Sequence, residues 1–106
     1  ADTAKIVEAV DHPSLRMQID TGAIALNGED PYHVIPAYGH LAGHVHISEP
    51  KLLPIGDGDC DHAAMAAALI KTRSDLPVTI EMLASKAEPN LRAIERAVRF
   101  TTQIYT

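Results

Sequence analysis

Three stretches of this sequence alternate between apolar and polar residues, and each carries near its end a side chain able to hold a cation or move a proton. "LRMQID" sets Leu15, Met17 and Ile19 on one side and Arg16, Gln18 and Asp20 on the other. "LAGHVHIS" opposes Val45 and Ile47 to His44 and His46, and "PVTIEM" opposes Val78, Ile80 and Met82 to Thr79 and Glu81. Parallel strands buried between two layers of helices are apolar on both faces. These have one apolar face each, so helices are expected on one side of the sheet only.

Helical spacing fills the gaps. Asp2 is expected to cap a helix through Ile6, Val7 and Val10, which Pro13 ends. "TGAIALNGED" reads as a loop, and Asp30–Pro31 opens a short helix that Pro36 should kink or shorten. "EPKLLPIGDGDC" is a Gly- and Pro-rich loop. Asp61 caps an alanine-rich helix with Met65, Leu69 and Ile70 on its packing side, and Pro89 opens a last helix with the stripe Leu91, Ile94, Val98 and Thr101 or Tyr105. The order is α-β-α-β-α-β-α in a single domain over residues 1–106, an α/β fold with right-handed parallel crossovers.

A curved sheet with helices only outside is a barrel wall, and its inner face near the carboxyl ends of the strands is where an active site forms. Asp20, His46 and Glu81 share that face on successive strands. A mixed oxygen and nitrogen set of this kind suits Mn²⁺, Co²⁺, Mg²⁺ or Zn²⁺. His44 lies one step deeper and is expected to brace a ligand rather than to bind the cation. Asp20 as a plain strand-end cap and His46 as a hydrogen-bonded interior histidine are the blander alternatives. Glu81 at the end of an apolar strand needs a cation or a positive group beside it. Ser48, Glu49 and Lys51 begin the following loop, where contact with substrate competes with simple solvation. Cys60 reads as a plain free thiol, and His62 as a solvent-facing or loop-bracing residue.

"MQIDTGA", "GHVHISEP", "GDGDCDHAAMAAAL" and "VTIEM", in this order, resemble the C-terminal half of sugar isomerases and epimerases of the xylose isomerase-like TIM-barrel superfamily, the tagatose/psicose 3-epimerase branch above all. The resemblance runs from about Leu15 to the C-terminus. It implies a partial (β/α)8 barrel, with Asp20, His46 and Glu81 as ligands of one divalent metal. It also implies Glu81 as one of two carboxylates that pass a proton through a cis-enediolate of a ketose. The second carboxylate, also the fourth ligand, would come from an earlier strand, and only a helix precedes Asp20. Two positions depart from the epimerase pattern: Ala23 stands where a substrate-binding histidine is expected, and Leu52, beside Lys51, where an arginine is expected.

A closed barrel of this type needs eight strands and at least ~200 residues. The chain has 106 residues, so it is expected to be the C-terminal portion of a longer protein or to assemble through its sheet edges, as a homo-oligomer or with the missing N-terminal half. A metal-dependent phosphodiesterase of the apurinic-endonuclease kind is an alternative on the same fold, and a non-catalytic half-barrel that self-assembles is another. The formal charge of −5 and pI near 5.6 speak against a nucleic-acid or anionic-membrane surface and leave a small sugar as the expected partner. One cysteine and no apolar run of membrane length point to a reducing, cytoplasmic setting.

Overall fold

The computed structural model describes residues 1–106. Its elements follow in the order α1 (Asp2–Val10), β1 (Met17–Asp20), α2 (Thr21–Leu26), α3 (Pro31–Tyr38), β2 (Ala42–Ile47), α4 (His62–Arg73), β3 (Val78–Ile80) and α5 (Asn90–Ile104), with single 3₁₀ turns at Gly39–Leu41 and Pro50–Leu52. The three strands form one parallel sheet in the order β1-β2-β3. Asp20 pairs with His46 across the first ladder, and His46 with Thr79 across the second. The last bond of that ladder, Glu81 N–H to the Ile47 carbonyl, extends β3's pairing one residue past its formal end. Glu81 therefore sits two residues further along its strand than His46's direct partner, rather than level with it.

The apolar strand face carries the core. Ile19, Val45 and Ile47 pack with Ile24, Ile35, Met65, Ala68, Leu69 and Ala97 from the helices. The opposite face holds Gln18, Asp20, His44, His46, Thr79 and Glu81, all at least partly open to solvent. This is an open wall of a (β/α)8 barrel, helices outside and polar residues inside.

Asp30 and Asp61 cap α3 and α4, their carboxylates accepting from Tyr32 N–H and Ala64 N–H. Four expectations are corrected. Residues 21–26, read as loop, are the short helix α2, because Asp20 accepts from Ala23 N–H and so caps it. Asp2 lies inside α1 beside Lys5, and Ala1 is the cap position. In α5 the buried residues are Ala93, Ala97 and Thr101, while Leu91, Ile94 and Val98 remain exposed. Small residues let that helix approach the sheet closely, and the large ones face outward. In α4, Met65 and Leu69 pack inward but Ile70 does not.

Candidate metal centre

β1 ends on Asp20 because the next residue starts a helix, which turns the carboxylate back over the strand end. Its Oδ1 accepts from Ala23 N–H at 2.9 Å and from the Ser48 hydroxyl at 2.7 Å. His46 projects from the central strand. Its Nδ1 lies 3.0 Å from Glu81 Oε2, and since a carboxylate can only accept, that nitrogen carries the proton. One ligand atom from each of Asp20, His46 and Glu81 lies within 4.8 Å of the other two. Ligands held ~2.0–2.2 Å from one ion stand about 3–4 Å apart, so small side-chain rotations would close these three around a cation. The mixed carboxylate and imidazole donors fit a divalent ion of the Mn²⁺, Co²⁺, Mg²⁺ or Zn²⁺ type. With three protein ligands, further positions are left for water or substrate oxygens.

His44 does not reach the carboxylates. Its Nε2 is 2.7 Å from Thr79 Oγ1, and its ring stands edge-on to His46 with centroids 4.9 Å apart. Its ring thus packs edge-on against the His46 imidazole.

Residues after β2 behave differently from the expectation. Glu49 is 1% exposed. Its carboxylate accepts from Gly56 N–H at 3.0 Å, from Cys60 N–H at 3.1 Å and from His62 Nε2–H at 2.8 Å. Both its oxygens accept from donors of this chain and are buried, so it holds the loop together instead of presenting itself to a substrate. A Cβ at Gly58 would stand 2.3 Å from Glu49 Oε2, so only glycine leaves room there. His62, expected to face solvent or brace the loop, is buried and braces it. With Nε2 donating to Glu49, its Nδ1 accepts from the Tyr105 hydroxyl at 2.6 Å. Burial holds the Tyr105 hydroxyl protonated far above its ordinary range.

Glu49, Cys60 and His62 also bring ligand atoms together. Burial, reinforced by the Glu49 charge, pushes the Cys60 thiol up to about 11, and both imidazole nitrogens are engaged. In this structure Glu49 and His62 are tied together by hydrogen bonds within the chain, and the Cys60 thiol lies against the Thr21 carbonyl. Lys51 is exposed, with φ of 62° and Leu52 after it at 54°. Two left-handed residues in succession are held by Leu52 N–H to the Glu49 carbonyl and Leu83 N–H to the Leu52 carbonyl.

Sequence reasoning read Ser48 as a loop residue, solvated or touching substrate, and missed its bond to Asp20 and the Glu49–His62–Tyr105 network. The Ser48 contact was within reach, since alternation places it on the same side of β2 as His44 and His46. Tyr105 gave no local signal, because its partner lies 43 residues away.

The fold and the strand-end cluster together define an open sector of a parallel barrel with three potential cation ligands gathered at its rim. The chain belongs to the family described as xylose isomerase-like TIM barrel, which it matches over residues 1–104. Among solved structures it superposes on D-psicose 3-epimerase from Clostridium cellulolyticum H10 with a TM-score of 0.84 at 17% identity, covering 98% of this chain and 43% of that one. An L-ribulose 3-epimerase gives 0.84 at 20% identity, over 95% and 39% of the two chains. D-allulose 3-epimerase from Methylomonas sp. gives 0.79 at 23% identity, over 93% and 40%. At these identities the likeness is one of fold, and the chain spans about two fifths of the length of each. Compared with curated protein sequences, it matches none.

Proposed function

We propose that this chain is the metal-binding portion of a ketose isomerase or epimerase, with Asp20, His46 and Glu81 holding one divalent cation. The observation that carries the reading is the approach of these three side chains, from three parallel strands, to within 4.8 Å of one another. Support comes from the family and from superposable folds named as 3-epimerases of allulose, psicose and ribulose. A bound cation would polarise the carbonyl and neighbouring hydroxyl oxygens of the sugar.

This chain's own residues would do the rest. Glu81 is more open than His46, their side chains 44% and 22% accessible, and can meet a C–H proton beside the carbonyl. Without the cation, the Nδ1–H of His46 donates to Glu81 and holds the carboxylate beside the imidazole; with the cation bound, that nitrogen would carry no proton and both groups would face the ion. Lys51, on its rigid turn, would offer an ammonium to sugar hydroxyls. Epimerisation needs a second carboxylate on the opposite face of the sugar. None stands opposite Glu81 in this sector, so turnover requires the remaining barrel strands, supplied by an N-terminal half or by another copy of the chain.

The test is twofold. Mn²⁺ or Co²⁺ titration of the chain should show one site that Asp20→Asn, His46→Gln or Glu81→Gln each abolish. A ketose incubated in deuterated water with the chain and a complementing N-terminal half should gain deuterium at the carbon being inverted. Metal binding without any deuterium uptake in the completed barrel would leave a non-catalytic half-barrel instead.

A further inference from the structure

The Asp20 carboxylate is held on one side by more than a helix cap needs. Ala23 N–H alone would cap α2. The second donor on the same oxygen, the Ser48 hydroxyl at 2.7 Å, comes from 28 residues away on the neighbouring strand end. The direction of that hydroxyl is fixed. Gly22 N–H points at Ser48 Oγ from 3.0 Å and can only donate, so Oγ accepts there and its single proton goes to Asp20 Oδ1.

The serine itself cannot shift. Thr21 Oγ1 donates to the Ser48 carbonyl and accepts from Ser48 N–H, both at 2.9 Å, with Thr21 at 0% and Ser48 at 1% exposure. Gly22 is part of the same device, because a Cβ there would stand 2.4 Å from Ser48 Oγ and drive the hydroxyl off its partners.

We infer that Ser48 is a positioning residue for the metal-binding carboxylate: it commits Asp20 Oδ1 to the protein and leaves Oδ2 as the single oxygen offered to the cation. The inference rests on Asp20 being a metal ligand, as proposed above. Its physical content is preorganisation. An aspartate with one oxygen doubly hydrogen-bonded cannot swing to chelate with both, and partners of this kind behind a ligand tune affinity strongly.

The experiment compares Ser48→Ala and Ser48→Thr with the unaltered chain. Mn²⁺ affinity is followed by electron paramagnetic resonance, the visible spectrum is recorded with Co²⁺, and thermal midpoints are measured with and without metal. Ser48→Ala should bind about 10–100-fold more weakly, alter the Co²⁺ bands and lose most of the metal-induced rise in midpoint. Ser48→Thr, which keeps the hydroxyl, should restore the Co²⁺ bands. A second measurement needs no variant. On saturation with Mg²⁺ or Zn²⁺, the Gly22 and Ala23 amides of the unaltered chain should keep their protection from hydrogen exchange, since Oδ1 and the serine stay in place. Unchanged Mn²⁺ affinity and Co²⁺ bands in a folded Ser48→Ala variant would overturn the inference and leave the metal reading intact. So would loss of Ala23 protection on metal binding. Failure of the unaltered, folded chain to bind Mn²⁺ or Co²⁺ at all would sink both.

Discussion

Cys60 carries a thiol that the fold keeps protonated. Half-buried beside Glu49, it is pushed from 9.0 up to about 11, and only the thiolate reacts. At pH 8 a two-unit rise leaves about 100-fold less thiolate than a free cysteine has. Alkylation by iodoacetamide should be slower by about that factor in the native chain and return to the ordinary rate in urea. The linkage has a definite sign. The unfolded thiol loses its proton near 9 and the folded one near 11, so the thiol's share of stability is whole below pH 9 and declines from there until about pH 11. Denaturant midpoints taken from pH 8 to 11 should fall, and those of Cys60→Ser should fall less.

Residues with local chemistry were legible at this scale. Asp20, His46 and Glu81 announced themselves by phase, because a strand period of two needs no knowledge of the rest of the chain. Glu49, His62 and Tyr105 did not. An acid after a strand and a histidine after a cap look solvated, and a tyrosine on a helix stripe looks like plain packing, until the fold encloses them together.

Among the elements, the loop between β2 and α4 is set from inside. Glu49 gathers Gly56 and Cys60 amides, and His62 joins this knot to Tyr105 at the end of α5. His62→Ala strands a buried carboxylate and should lower the unfolding free energy by about 3 kcal/mol. Tyr105→Phe removes one neutral donor and should cost about 1–2 kcal/mol. Urea denaturation monitored by far-ultraviolet circular dichroism would measure both, and equal losses would argue against a charged Glu49. The strands and capped helices were readable because alternation and Asp caps act over a few residues. α2 was not, since it has no apolar stripe and forms where Asp20 and the Thr21–Ser48 clamp dictate. The face of α5 was misread for a related reason. Its large apolar residues make the stronger periodic signal, yet only Ala93 and Ala97 are small enough for close approach to the sheet.

At the scale of the molecule, several of the apolar residues left outside lie on the helices at the two ends of the sector. Ile6 and Val10 are exposed on α1, and Leu91, Ile94 and Val98 on α5, beside β1 and β3 with their unpaired outer edges. The radius of gyration is 14.1 Å, with extents of 44 × 24 × 23 Å, against about 13 Å for a compact domain of this length. Open edges flanked by apolar helix faces invite lateral pairing. Size-exclusion chromatography with light scattering should find the isolated chain larger than a monomer. Val78→Lys together with Ile94→Glu should return it to the monomer, and a monomeric unaltered chain would contradict this.

The turn at Lys51 and Leu52 has one more consequence. Left-handed backbone at a non-glycine residue costs on the order of 1 kcal/mol, so this corner is held in place by its surroundings and against the preference of its own residues. Glycine at position 51 should raise the melting temperature, while removing the ammonium that the proposed function offers to sugar hydroxyls. On that proposal, the most robust version of this protein and the most useful one differ at that single residue.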